Sequence, residues 1–391
     1  MQRNYTLQIV RQFVKYDCML ERPFWSERIR HAWSQAPIAW LCGVRRSGKT
    51  TLAKDLEASY FNCDLPSVED RVRDPELFYR GLNTPIVVFD EIHQLKDPTR
   101  LLKIGADQFP DLKILATGSS TLAASRTFRD TLTGRKRTVH LVPVMWSELG
   151  TFGSSIEHRL LHGGLPQALL STRKDPAFFR EWMDSFFARD IQHLFKFRDV
   201  SRFNAVLDFI LRQSGGQFET TKAARGLGIS RQTVESHLRA LEITNAVTIV
   251  RPFHRGNAGE LVKLAKVYAF DTGFVSFVRG WDTLRHDDLG GLWEHLVLEF
   301  LQANRPDDRI HYWRDKSGRE VDLVVPRARQ DVDAIECKWE PAHFDAASLR
   351  VFRSAHPKGR NFVISPAATE AYQKRYGDLV VTVGPPEALL S

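Results

Sequence analysis

The sequence has few cysteines and no long apolar run. Its four cysteines, Cys18, Cys42, Cys63 and Cys337, stand far apart in 391 residues. That spacing predicts neither a zinc site nor a disulfide framework, and it favours a reducing compartment. Nowhere do eighteen uncharged apolar residues run together, and Met1 to Lys15 mixes charges with apolar residues and is followed by no small-residue cleavage site. We expect a cytoplasmic protein with no membrane association.

An excess of acidic residues is also absent. Lys and Arg number 55 against 47 Asp and Glu, so the formal net charge is +8. A basic balance favours an anionic partner such as nucleic acid, although many basic proteins have none. The length exceeds what one hydrophobic core usually serves, which predicts two to four domains.

The strongest pattern lies between Ile38 and Thr51. A mostly apolar segment is followed by a complete match to the phosphate-loop motif G-x-x-x-x-G-K-[ST], and Thr51 to Ala58 then has helical spacing. Such a loop turns its backbone N–H groups towards phosphate oxygens; Lys49 reaches the terminal phosphates and Thr50 offers its hydroxyl to Mg²⁺. The alternative is a chance glycine turn before a helix. The predicted ATP-contacting residues of the loop are Gly43, Arg46, Ser47, Gly48, Lys49, Thr50 and Thr51.

Further strand candidates alternate with helix-length connections, which predicts an α/β fold with a parallel sheet. They cover residues 60–64, 86–89, 113–116 and 137–144. Asp90 and Glu91 end the second of these strands. Asp90 is predicted to hold the Mg²⁺ water shell and Glu91 to polarise the attacking water, because the phosphate loop supplies no base. Ser119, after the third strand, is either a sensor of the terminal phosphate or a helix N-cap.

In their order along the chain, these motifs resemble a family. The pieces are the phosphate loop, Val88–Glu91, Ala116–Ser119, Gly134–Arg135, Leu141–Pro143, Glu148, Gly163–Pro166, Arg189–Ile191 and Phe270–Gly273. The chain resembles bacterial and archaeal AAA-type ATPases of the extended ATPase group that carry a restriction-endonuclease-like carboxyl half. The resemblance implies ATP hydrolysis with Mg²⁺ in a homo-oligomer, a hexameric ring among the options. It also implies an arginine acting on the neighbouring subunit's site, with Arg135 the first candidate and Arg126 or Arg129 the alternates. A solvated surface arginine is the competing interpretation.

The middle of the chain indicates two further modules. Aromatic residues at helical spacing within 163–197 predict a buried helix face in a lid or linker. Short helices, a Gly228-Ile229-Ser230 turn, a helix over 231–243 and strands over 246–250 and 261–270 then predict a winged helix-turn-helix. In a DNA reader, Arg231, Gln232, Glu235 and Arg239 would face the groove, and His254 or Arg255 would meet phosphate. An architectural spacer is the alternative.

The carboxyl-terminal segment combines a helix containing Glu294 with three short strands. Glu336 and Lys338 are two residues apart, which places them on one face, and Asp322 lies on the preceding strand. This arrangement resembles the PD-(D/E)xK nuclease fold. The resemblance implies that Glu294, Asp322 and Glu336 hold Mg²⁺ or Mn²⁺ and that Lys338 activates water or stabilises phosphate charge. A fold that only holds DNA or packs against the ATPase is the alternative.

The predicted plan is a P-loop NTPase α/β domain followed by a winged helix-turn-helix and a PD-(D/E)xK nuclease-like α/β domain. Its parts are a helical lead-in (1–36), an AAA-type core (37–160), a helical lid or linker (161–200), a winged helix (201–282) and a nuclease-like domain (283–391). The predicted function is ATP hydrolysis coupled to handling DNA of unspecified form. The rival is a nucleotide-controlled assembly switch with a protein partner and a non-catalytic nuclease-like scaffold.

Overall fold

The computed structural model describes residues 20–118, 130–195, 197, 199–254, 264–328 and 330–391. The described chain divides into two units. The first comprises the described residues up to Leu141 together with Glu148–Ser154, and the second comprises Val142–Ser147 together with Ser155–Ser391. No helix among the described residues is long and apolar enough to cross a membrane.

A parallel sheet forms the centre of the first unit. Its strands are β1 (Ile38–Cys42), β2 (Ser59–Asn62), β3 (Ile86–Asp90), β4 (Lys113–Thr117) and β5 (Lys136–His140). They lie in the order β2-β3-β4-β1-β5, and every neighbouring pair is parallel. The sequence-based prediction of a parallel α/β domain is therefore confirmed. All five residues of β1 are buried, as an apolar central strand covered on both faces requires.

Helices connect these strands. They are α1 (Pro23–Gln35), α2 (Lys49–Lys54), α3 (Pro66–Arg71), α4 (Pro75–Arg80), α5 (Pro98–Gln108) and α6 (Leu149–Phe152). Asp74 and Asp97 cap α4 and α5 through side-chain bonds to backbone N–H groups, each followed by a proline in the first turn. Strand β5 ends at His140 rather than at the predicted residue 144, because its partner β1 ends at Cys42 where the phosphate loop begins.

Among its described residues, the second unit has a mixed sheet of nine strands. Its helices are α7 (Ile156–His162), α8 (Pro166–Leu169), α9 (Pro176–Phe186), α10 (Gln192–Phe195), α11 (Val200–Arg212), α12 (Thr220–Leu227), α13 (Arg231–Ile243), α14 (Thr272–Val278), α15 (His286–Asn304) and α16 (Ala347–Ala355). Its strands are β6 (Gly216–Phe218), β7 (Val247–Pro252), β8 (Ala265–Ala269), β9 (His311–Arg314), β10 (Glu320–Pro326), β11 (Val332–Cys337), β12 (Asn361–Ile364), β13 (Tyr372–Tyr376) and β14 (Leu379–Gly384). Their order is β13-β14-β12-β11-β10-β9-β7-β8-β6.

The sheet runs without interruption from the helix-rich middle of the chain into its carboxyl-terminal part. Strands β6, β8 and β7 pair antiparallel, and β7 then pairs parallel with β9 through Arg251 opposite His311 and Pro252 opposite Tyr312. The expected boundary between residues 282 and 283 is therefore crossed by backbone hydrogen bonds of one sheet.

The aromatic residues of α9 are buried. Phe178, Phe179, Trp182 and Phe186 are each at most 4% exposed. Trp182 stacks on Phe270 with ring centroids 4.6 Å apart. The predicted apolar helix face is confirmed, and it packs inside the second unit.

Candidate functional site

The phosphate loop depends on two glycines for its path. A Cβ at Gly43, whose φ is +150°, would lie 2.3 Å from the backbone oxygen of Leu141. Gly48 has a φ of +97° in the left-handed region at the start of α2. Side chains at either position would be strained or would collide, so the motif glycines are required by the backbone itself.

Lys49 and Ser47 point polar groups into this loop. The Lys49 ammonium donates to the carbonyl oxygens of Gly43 at 3.0 Å and Val44 at 3.1 Å. The Ser47 hydroxyl is fully buried and has no hydrogen-bond partner among the described residues. Thr50 and Thr51 are exposed in the first turn of α2, and Arg46 takes a φ of +62°. Hydroxyls, N–H groups and one ammonium around a glycine turn fit a nucleotide polyphosphate with its Mg²⁺.

The two acids after β3 have different environments. Asp90 is 2% exposed; its carboxylate accepts hydrogen bonds from the Tyr60 hydroxyl at 2.6 Å and the Thr117 hydroxyl at 2.5 Å. Burial and the bond to Asp90 raise the pKa of Tyr60, so its hydroxyl remains a donor. Glu91 is partly exposed, takes a φ of +55° and lies 3.3 Å from His93 Nδ1. Because β3, β4 and β1 are parallel neighbours, both acids end up at the edge of the sheet where the phosphate loop begins.

A buried ion pair supports the phosphate loop. The Arg22 guanidinium donates to both carboxylate oxygens of Glu148 at 2.7 Å and to the backbone oxygen of Ser47 at 3.0 Å. The side chains of Arg22 and Glu148 are 5% and 7% exposed. Our sequence reasoning included Glu148 only as part of the family resemblance and missed Arg22. An arginine beside a proline at a helix start was the available signal.

Arg135 lies at the other end of the sheet. It precedes β5, its backbone oxygen accepts from Ile38 N at 3.1 Å, and its guanidinium pairs with Asp107 at 2.6 Å. Since Ile38 begins β1 and the phosphate loop follows the end of β1, Arg135 is far from the loop of its own subunit. A role on a neighbouring subunit stays a prediction. Ser119, Arg126 and Arg129 lie outside the described residues.

The second unit brings the predicted carboxyl-terminal residues to one cleft of about 350 Å³, whose lining includes Glu294, Asp322 and Lys338. Lys338 donates to Asp322 at 3.1 Å and to Glu336 at 2.7 Å. Asp322 also accepts from the backbone N–H of Cys337 at 2.8 Å. The other Glu336 oxygen, Oε1, is buried and has no hydrogen-bond partner among the described atoms. The predicted proximity of the two strand acids and the lysine is thus present in the structure.

Glu294 is bonded differently from what the sequence suggested. It accepts from Lys266 at 2.8 Å and from the Tyr268 hydroxyl, both of which lie on β8. Lys266 also lies 2.5 Å from Glu320, which in turn pairs with Arg314. Our sequence reasoning missed Lys266 and Tyr268. A lysine and a tyrosine alternating with apolar residues in a strand were the available signal.

These charges shift one another's ionisation. Burial and then the charge of Asp322 raise the pKa of Glu336 to about 8. Although burial opposes it, the charges of Lys338 and Lys266 hold the pKa of Asp322 below its usual range. Burial lowers the pKa of Lys266, but Glu294, Asp322 and Glu320 outweigh it and raise the pKa overall. Burial also lowers the pKa of Lys338, but Asp322 and Glu336 outweigh it and raise that pKa overall, so both lysines remain cations.

The fit to a metal ion is incomplete. Carboxylate oxygens are the ligands that Mg²⁺ prefers. Yet across the described ranges no group of three or more His, Cys, Asp or Glu side chains is arranged to hold a metal ion. The predicted metal role of Glu294, Asp322 and Glu336 stays a prediction, and no chemical step is derived through it.

The residues predicted to read DNA lie on one exposed helix surface. Arg231, Gln232 and Arg239 of α13 are exposed, whereas Val234 and His237 face inwards. Arg231 pairs with Glu235 at 2.8 Å across one helical turn. Arg255 lies outside the described residues.

Comparison with known proteins gives three family matches along the chain. Residues 35–150 match an AAA domain, AAA_14. Residues 153–285 and 289–384 match the domains of unknown function DUF8612 and DUF4143. The phosphate-loop part is therefore similar to an AAA domain.

Two curated relatives are the uncharacterised proteins Rv2008c of Mycobacterium tuberculosis and Mb2031c of Mycobacterium bovis. Each is 29% identical over 324 residues, covering 80% of this chain and 73% of the relative.

Three solved structures are distantly similar to this chain. A DNA replication initiation factor aligns at 13% identity with a TM-score of 0.25, covering 53% of this chain and 69% of that one. A structure of Thermococcus gammatolerans McrB AAA+ hexamers with bound McrC aligns at 12% identity with a TM-score of 0.21, covering 46% of this chain and 46% of that one. A signal transduction ATPase with numerous domains from Pyrococcus horikoshii aligns at 13% identity with a TM-score of 0.26, covering 72% of this chain and 45% of that one. At these TM-scores the alignments carry no functional argument.

Two motifs of the resemblance meet in the interior of the second unit. Asp271 accepts from the N–H groups of Gly164 at 2.6 Å and Gly273 at 2.7 Å. Arg159, fully buried, donates to Thr272 and Glu299, both at 2.8 Å. Gly164 and Gly273 therefore donate their N–H groups to the Asp271 carboxylate of a buried polar cluster.

Proposed function

We propose that this protein is an ATPase that couples nucleotide hydrolysis to handling DNA. The observation that carries the proposal is the phosphate loop with Lys49 at the same sheet edge as Asp90 and Glu91. A phosphate cradle, a buried acid and a more exposed acid at one edge supply binding, metal support and a base for water.

The roles follow from the environments of these groups. Lys49 exchanges its bonds to the Gly43 and Val44 carbonyls for phosphate oxygens. Thr50 and Asp90 would hold Mg²⁺, which supplies charge neutralisation at the phosphates when bound. Glu91 is partly exposed and lies 3.3 Å from His93, so of the two acids it is the one that water can reach and that would orient it.

Phosphate release from ATP by the full-length protein tests this proposal. Lys49→Ala should lower turnover at least about 100-fold, since one charge aimed at the developing phosphate charge is lost. Lys103→Ala is the matched control, because Lys103 is an exposed lysine on α5 of the same unit. Equal turnover by wild type and Lys49→Ala would refute the ATPase assignment.

We infer that the DNA-contacting element is a winged helix around α13. The support is its topology, α11, β6, α12, α13, β7 and β8, with the three strands forming an antiparallel group. Further support comes from the exposure of Arg231, Gln232 and Arg239. Binding would require Arg231 to leave Glu235, an exposed pair that holds it only weakly.

DNA titration over a salt series tests this part. Removing one side chain that binds a DNA phosphate should flatten the slope of log affinity against log salt by about 0.9. Arg231→Ala and Arg239→Ala should weaken binding, whereas Arg212→Ala, which breaks a comparable exposed pair with Asp208, should not. No DNA binding at low salt would favour the nucleotide-controlled protein switch instead.

We also infer that the carboxyl-terminal part has a PD-(D/E)xK-like fold. The support is its order of elements: α15 with Glu294, three antiparallel strands β9 to β11, α16, and then β12 parallel to β11.

Assembly into a homo-oligomer with Arg135 acting between subunits is part of the ATPase proposal. Turnover per subunit that rises with protein concentration, and partial recovery on mixing Arg135→Ala with Lys49→Ala, would support it.

A further inference from the structure

The acidic cleft of the second unit contains its own cations. Four carboxylates and three basic groups form two neighbouring sets of ion pairs, one around Lys266 and one around Lys338. The carboxylates are Glu294, Glu320, Asp322 and Glu336, and the basic groups are Lys266, Lys338 and Arg314. Of these acids, Glu294, Asp322 and Glu336 are the predicted metal ligands.

Lys266 is held in place. It lies on β8 between Gln217 of β6 and Val250 of β7, with both neighbours hydrogen-bonded in the sheet. Its side chain is 5% exposed, and its ammonium lies 5.4 Å from the centre of the Tyr312 ring. A lysine fixed by two strand partners and buried to this extent does not reach solvent as a surface lysine does.

Its ammonium lies where charge balance is needed. It is 2.8 Å from Glu294 and 2.5 Å from Glu320. Tyr268 donates to the same Glu294 oxygen, so that oxygen already has two donors. Lys338 bridges Asp322 and Glu336 in the same way. A cation would have to displace these bonds and approach a fixed positive charge.

We propose that Lys266 is the resident counter-ion of this cleft, so that the acids are held together by lysines and the site takes up no divalent metal. In this state the second unit does not cleave DNA by a metal-dependent route. The inference concerns the second unit alone and does not depend on the proposed ATP hydrolysis.

Mn²⁺ titration of nucleotide-free full-length protein tests the proposal, with bound Mn²⁺ measured by electron paramagnetic resonance. An Asp90→Asn background removes the carboxylate that would hold Mn²⁺ beside the phosphate loop. The parent protein should show no Mn²⁺ site that Glu336→Gln removes. Lys266→Met and Lys266→Gln should each gain an Mn²⁺ site at least about tenfold tighter than any Mn²⁺ binding of the parent protein, because one fixed positive charge beside Glu294 is gone. Lys358→Met, which removes an exposed lysine of the same unit, is the matched control.

Two results would overturn the proposal. One is an Mn²⁺ site in the parent protein that Glu336→Gln abolishes; this result decides the matter even if neither Lys266 variant folds. The other is a folded Lys266 variant, judged by its circular dichroism and melting curve, with no gain in Mn²⁺ binding. A gain in Lys266→Met that is lost again on adding Glu336→Gln supports it.

Discussion

Replacing Arg22 should damage the stability of the first unit and its nucleotide affinity by separable routes. Arg22→Ala leaves Glu148 buried without its cation, which costs about 3–5 kcal/mol for a buried pair. It also removes the donor to the Ser47 carbonyl, a charged hydrogen bond of about 1.5–3 kcal/mol. If half of that hydrogen-bond free energy contributes to ATP binding, ATP affinity falls about three- to twelvefold.

The double variant Arg22→Met with Glu148→Met separates the two effects. Replacing a buried pair with apolar groups of similar size is often neutral or stabilising, so melting should return close to that of wild type. Nucleotide affinity should stay weak, because the guanidinium that donates to the Ser47 carbonyl is still missing.

The assays are thermal melting and titration with a fluorescent ATP analogue. Arg30→Ala, an exposed arginine on the same helix α1, is the control and should match wild type in both. Recovery of affinity together with stability in the double variant would refute the reasoning about Ser47. Wild-type melting of Arg22→Ala would refute the reasoning about the buried pair.

Three further predictions concern both units. Glu91→Gln should bind ATP with unchanged affinity but hydrolyse it about 100-fold or more slowly in single-turnover assays, because the amide keeps its size and loses the base; lost binding would make Glu91 structural. Gly163→Ala should lower the free energy of unfolding by about 3 kcal/mol, because the φ of Gly163 is +87° and the new Cβ would lie 2.0 Å from Asp271 Oδ1. Gly280→Ala, with a φ of +69° and no atom nearby, should cost only about 1 kcal/mol. Glu299 should remove up to about 1.4 kcal/mol of stability from the second unit per pH unit as the pH rises from about 5 to 8, so wild type should lose that much more stability per pH unit than Glu299→Gln in melting measurements across pH.

The sign of the pH effect follows from the surroundings of Glu299. Burial raises its pKa to about 8, although Arg159 lowers it and Asp271 raises it further. His295, 3.3 Å away, has its pKa lowered to about 3 by burial and Arg159, so it is neutral in the folded state and gives an opposite slope below its unfolded pKa of about 6.5, a slope that wild type and Glu299→Gln share. Between its unfolded pKa and about 8, Glu299 binds more protons in the folded state than in the unfolded state. Raising the pH through this range therefore removes the stability that Glu299 contributes. The same pH dependence of melting in wild type and Glu299→Gln would contradict this account.

Local patterns predicted the parts of the sites that are contiguous in sequence. The phosphate loop, the acids after β3 and the helix over 231–243 each carry their signal within a few residues. The structure has β3 and α13 with nearly the expected bounds, whereas α2 ends at Lys54 rather than at the predicted Ala58. The structure also has the predicted proximity of Asp322, Glu336 and Lys338, because alternation on adjacent strands fixes which side chains share a face. The order of the motifs along the chain carried the resemblance to the family.

The missed residues share a different property. Arg22 meets Glu148 across 126 positions, Arg159 meets Glu299 across 140, and Lys266 meets Glu294 across 28. A lone basic residue has no periodicity, and its partner is known only once the chain is folded. What sequence does show is a charged residue in an apolar run, such as Lys266 in β8. That pattern indicates a buried partner without identifying it.

The buried cluster around Arg159 changes how the resemblance should be used. Gly163, Gly164, Asp271 and Gly273 contributed to the family pattern, yet in the structure they close around a fully buried guanidinium. A Cβ at Gly164 would lie 2.4 Å from Arg159 Nε, and one at Gly273 would lie 2.4 Å from the backbone oxygen of His162. Such positions tolerate no side chain for reasons of packing alone. They therefore serve the packing of the second unit, whereas a ligand can reach the phosphate loop with Glu91 and the exposed face of α13.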